Sequence, residues 1–72
     1  MVEVFKTNVT CKEQSRILVE NIHNHFPGYK ANFDLDDCDR ILRIVAEDEQ
    51  VVITRIINLL NNFGYWAAVL PG

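Results

Sequence analysis

The chain has 72 residues, 49% of them apolar and 24% charged, with a formal net charge of −3 and a pI near 5.1. That suffices for one small globular domain, 1–72, and a chain this size hides only ~60% of its unfolded surface. Lys and Arg are scattered singly, without the basic stripe that phosphate-backbone binding draws on, which excludes nucleic acid as an expected partner.

No apolar run approaches the ~20 residues that span a bilayer. Met1-Val2-Glu3-Val4-Phe5-Lys6 places no basic segment ahead of an apolar one, so the expectation is a cytoplasmic protein without membrane contact. Two cysteines, Cys11 and Cys38, are too few for a disulfide framework and read as free thiols or metal ligands.

In chain order, residues 2–9 carry Val2, Val4, Phe5 and Val9 at roughly period two, the pattern of a strand. Thr10-Cys11-Lys12-Glu13 matches a capping box, with Thr10 as N-cap and Glu13 reaching back from the third helical position. The helix it opens has Ile17, Leu18, Ile22 and Phe26 at helical spacing and stops at Pro27-Gly28. Tyr29, Ala31, Phe33 and Leu35 alternate with Lys30, Asn32, Asp34 and Asp36, which predicts a half-buried strand.

Asp36-Asp37-Cys38-Asp39 is a polar turn, and Arg40 to Ala46 returns as a third strand. It lacks the Gly and closing Glu of a calcium-binding EF-hand loop, so a solvated hairpin is the expectation. Asp48 is the expected N-cap of a second helix whose stripe is Val52, Ile53, Ile56, Ile57, Leu60 and Phe63. Ile57 is expected in the core of that stripe. Gly64 ends the helix, and Tyr65 to Leu70 forms the last strand.

The order β-α-β-β-α-β, joined by right-handed crossovers, predicts an α+β, ferredoxin-like fold: a four-stranded antiparallel sheet with two helices on one face. The alternating strand directions bring three loops to one end: the Cys11 loop, the Cys38 turn and the Asn61-Asn62-Phe63-Gly64-Tyr65 passage. Both cysteines therefore belong to that end, while His23 and His25 belong to the other, on a solvated stretch of helix.

Cys11 is the most pointed chemical feature. A cysteine at a helix start meets the positive end of the macrodipole and unbonded backbone N–H groups, which favour the thiolate that binds metal. Cu(I) takes two or three soft donors and tetrahedral zinc takes four. Three residues on, where a second thiolate would complete a helix-start pair, stands Gln14. Cys38 is the candidate second thiolate, with Asp37 or Asp39 nearby. Nothing resembles a Ser/His/Asp order, a phosphate-binding glycine loop or a paired-carboxylate cleft, so no catalysis is expected.

Over its whole length the chain resembles the heavy-metal-associated domain family, the small module of copper chaperones and metal-ATPase N-termini. The resemblance rests on element order and length, on Val9-Thr10-Cys11 leading into the first helix, and on Phe63-Gly64-Tyr65 leading into the last strand. Family members carry Met-x-Cys-x-x-Cys at the first loop. Val9 stands at the Met position, Cys11 at the first Cys and Gln14 at the second, so the resemblance carries over Cys11 alone. It implies a non-enzymatic module that handles a soft metal at a degenerate site centred on Cys11, with Cys38 or a partner chain as second donor and weak binding of Cu(I) or Zn(II). The alternative is a metal-free interaction or regulatory module of the same fold, acting through its open sheet face or an edge strand on a protein partner or a second copy.

Overall fold

The computed structural model describes residues 1–71 as six elements: β1 (Val2–Thr7), α1 (Lys12–His25), β2 (Tyr29–Asp34), β3 (Ile41–Ala46), α2 (Ile53–Asn62) and β4 (Ala67–Val69). The sheet order is β2-β3-β1-β4 and every neighbouring pair is antiparallel, as a split βαβ arrangement requires. Register follows the alternation of side chains. Phe5 lies opposite Leu42, Ala31 opposite Ile44 and Tyr29 opposite Ala46 on the face that meets the helices. Lys6, Lys30, Asn32, Arg43 and Ala68 lie on the other face.

One apolar cluster joins the layers. Phe5, Leu42 and Ile44 of the sheet pack with Leu18 and Ile22 of α1 and Ile56 and Leu60 of α2, all fully buried. The radius of gyration, 10.9 Å, matches the ~11 Å expected of a compact chain of this length.

Both helix starts differ from the sequence expectation. α1 begins with Cys11, not Thr10, as its N-cap, and no side chain caps it. The capping box does not form, and Thr10 and Glu13 are exposed. Thr7 explains the shift. Its buried hydroxyl donates to the Arg40 carbonyl at 2.6 Å and accepts from the Val9 amide at 3.2 Å. Val9 is fully buried, so the loop is anchored two residues before Cys11 and turns into the helix only after it.

α2 begins at Ile53 with Val52 as N-cap, and Asp48 is an exposed loop residue. Here the Tyr29 hydroxyl decides. It donates to the Gln50 carbonyl at 3.0 Å and accepts from the Val52 amide at 2.9 Å, holding residues 50–52 outside the helix while Val51 packs into the core. The ring of Tyr29 is itself held by stacking on Phe26, with centroids 4.8 Å apart.

The late start shortens α2 to 10 residues, and its buried stripe differs from the expected one. Ile56, Leu59 and Leu60 are buried and Ile57 is half-buried at the margin, while Val52 and Phe63 are exposed. On α1, Leu18 and Ile22 are buried and Ile17 is exposed, and Phe26, the C-cap residue just beyond it, is half-buried. Gly64, at φ +87°, closes α2. Its amide donates to Asn61 and that of Tyr65 to Leu60, each at 3.0 Å, which is the Schellman arrangement. The flanking strands are shorter than the alternation predicts: β1 ends at Thr7 and β4 spans only Ala67–Val69.

Candidate functional site

The end of the molecule that carries the cysteines is organised around β1. The Thr7 amide donates to the Asp39 carbonyl at 3.1 Å, and the Thr7 hydroxyl to that of Arg40, which ties the Cys38 turn to the exit of β1. On the other side the Trp66 amide donates to Asn8 Oδ1 at 2.9 Å, which draws in the passage from α2 to β4. The three loops expected at one end are therefore linked to two successive residues, Thr7 and Asn8.

Cys11 stands at the junction of that loop with α1. Its backbone is extended, φ −99° and ψ 124°, and its carbonyl accepts the Ser15 amide at 2.9 Å. The side chain is exposed and unpaired with any other sulfur. Gln14, one turn into α1, is half-buried. It is neutral and offers only an amide oxygen, a hard donor, so this loop supplies one soft donor from one chain.

Cys38 is also exposed and free. Its sulfur and one carboxylate oxygen each of Asp37 and Asp39 lie within 4.8 Å of one another. Both acids already have structural partners. Asp37 Oδ1 accepts the Asp39 amide at 2.8 Å, an Asx turn, and Asp39 Oδ1 lies 3.5 Å from Lys6 Nζ. The Arg40 guanidinium donates to the Leu35 carbonyl across the turn, and the Asp37 carbonyl accepts the Arg40 amide at 3.0 Å. Arg40 itself has φ +48°, the left-handed region, and these contacts hold it there. The acidic turn is thus accounted for as a hairpin connection. Cys11 is not a member of the Asp37–Cys38–Asp39 group.

At the opposite end, His23 and His25 are exposed. His23 has a partner that helical spacing alone does not disclose: its Nε2 accepts the Ala31 amide of β2 at 3.1 Å. His25 and Phe26 line an open groove of 320 Å³ with Arg55, Asn58, Leu59 and Asn62. Neither cysteine borders it.

No protein-family model and no curated protein matches the sequence. Among solved structures, the chain is similar to the yeast copper transporter domain Ccc2a, described in apo and Cu(I)-loaded states. The TM-score is 0.78 at 14% identity, covering 97% of this chain and 94% of that one. It is similar also to oxidized MerP from Ralstonia metallidurans CH34, with TM-score 0.77 at 14% identity over 99% of this chain and 97% of that one. At such low identity and near-complete coverage, what the chain shares with these domains is the whole of the fold.

Proposed function

We propose that this domain handles a soft metal ion, taken as cargo at Cys11, with the second thiolate supplied by Cys38 or by a cysteine of a partner chain. The observation that carries the reading is the placement of Cys11: an exposed thiol at the N-cap of α1, with no side chain competing for the helix-start amides. Those amides and the macrodipole complement an anionic sulfur and anything it ligates. The fold shared with a domain described in a Cu(I)-loaded state adds support. One thiolate does not satisfy Cu(I), so a single loop holds the ion weakly and hands it on readily to a facing thiol. Such a module carries and exchanges an ion, and performs no catalysis.

The test is a Cu(I) titration of the reduced protein against a competing chelator, with the single tryptophan, Trp66, as a reporter at the same end. Wild type is expected to bind weakly as a monomer, and any tight binding to require Cys38 or to coincide with dimerisation. Cys11→Ser should abolish uptake. Gln14→Cys should raise affinity by several orders of magnitude, because both thiolates would then come from one ordered helix start. Wild type and Cys11→Ser behaving identically would overturn the proposal, as would an unchanged affinity in Gln14→Cys.

A further inference from the structure

The sheet has an edge whose exposed donors are partly occupied, and the occupant of one of them is a side chain. β2 is the outer strand beside β3. Ala46 of β3 turns its amide towards β1, donating to the Met1 carbonyl at 2.8 Å. By antiparallel alternation, Ile41, Arg43 and Val45 therefore bond β2 through their partners Asp34, Asn32 and Lys30. The remaining residues, Tyr29, Ala31 and Phe33, direct N–H and C=O away from the sheet. α1 takes two of those donors: the Tyr29 amide bonds the Phe26 carbonyl at 2.9 Å, and the Ala31 amide bonds His23 Nε2 at 3.1 Å.

The Phe26 contact is the backbone closure of α1 onto β2. The His23 contact is different, because it is made by an exposed side chain whose loss would leave the helix and strand in place. Its effect is to fill a position where another strand would pair.

The strand that fits this position is β2 itself. Two copies aligned antiparallel about Asn32 set Ala31 opposite Phe33 of the other copy. The backbone N–H and C=O of both residues point off the edge, as a hydrogen-bonded pair requires, while their side chains stay on the helix side. The same alignment sets Lys30 opposite Asp34 of the other copy, joining opposite charges across the seam. Centring the pair on Lys30 or on Asp34 would instead oppose like charges. Centring it on Ala31 would leave Lys30 facing Asn32. Lys30 is available, since its ion pair with Glu47 spans 3.6 Å between side chains 80% and 73% exposed. We propose that the outer edge of β2 is a self-association surface that pairs antiparallel with β2 of a second copy about Asn32, and that His23 holds it closed by occupying the Ala31 amide. The pairing uses neither Cys11 nor Cys38.

Sedimentation velocity over a concentration series tests it. His23→Ala frees one donor per copy and should tighten dimerisation about ten- to a hundred-fold relative to wild type. His23→Leu fills similar space without an acceptor and should do the same, whereas His23→Gln keeps an acceptor and should behave as wild type. Adding Lys30→Asp to His23→Ala should abolish the dimer, and adding Asp34→Lys to that pair should restore it. Absence of tightening in both His23→Ala and His23→Leu overturns the proposal. So does a dimer indifferent to Lys30→Asp, a failure of Asp34→Lys to restore it, or growth into open-ended oligomers instead of closed dimers.

Discussion

Thr7 does at the mouth of β1 what a helix cap would otherwise do for the loop that follows. Its hydroxyl joins the Arg40 carbonyl to the Val9 amide in a buried setting, and each of those groups would be left without its partner if the hydroxyl were removed. Thr7→Val keeps the shape and should cost ~1–3 kcal/mol, the penalty for unsatisfied buried polar groups. Thr10→Ala should stay within about 0.5 kcal/mol of wild type, because Thr10 is exposed and caps nothing. Urea unfolding of the two variants separates the alternatives, and the reverse ranking would place the helix start at Thr10. The Thr10-to-Glu13 spacing satisfies the capping pattern equally well in either case. Only the long-range partner of Thr7, 33 positions away at Arg40, decides where the helix begins, and no local pattern contains that information.

At the scale of elements, α2 packs against β4 and carries the stripe of Ile56, Leu59 and Leu60 into the core. Ile56 is fully buried, whereas Ile57 is half-buried at the margin. Ile56→Ala should therefore cost ~2–5 kcal/mol through lost burial and the cavity left behind. Ile57→Ala should cost visibly less, and equal losses in thermal unfolding would contradict the burial of Ile56 against the marginal position of Ile57. The order and type of all six elements are legible in the sequence, because the strand alternation at Tyr29 to Leu35 and the helical spacing of Leu18 and Ile22 are strong local signals. The ends of the elements are not. The limit of α2 depends on the hydroxyl of Tyr29, which reaches Gln50 and Val52 from β2, more than 20 positions away in sequence. Of the candidate site, the meeting of three loops at one end follows from strand direction alone. The bond from Ala31 to His23 does not, since a histidine on an exposed helix face gives no sign of the strand edge beneath it.

For the molecule as a whole, the balance between core and charge decides how stability responds to solution conditions. The ion pairs among the described residues, Lys6–Asp39 and Lys30–Glu47, are both substantially exposed, and exposed pairs contribute ~0–1 kcal/mol each. The net charge of −3 is small for 72 residues, so self-repulsion in the folded state is modest. What joins the two layers is the apolar cluster running from Phe5, Leu42 and Ile44 through Leu18 and Ile22 to Ile56 and Leu60. Sodium chloride should therefore change the unfolding free energy little: screening weakens the two pairs and the residual repulsion together, and these effects oppose one another. Raising the salt from low ionic strength to about 1 M, where the screening length falls to ~3 Å, should leave stability within about 1 kcal/mol of its starting value. Sulfate at matched ionic strength should instead raise it, because exclusion of that ion from the surface strengthens apolar burial. Loss of stability in sodium chloride by several kcal/mol would mean that charge pairing, not the core, holds the helices to the sheet.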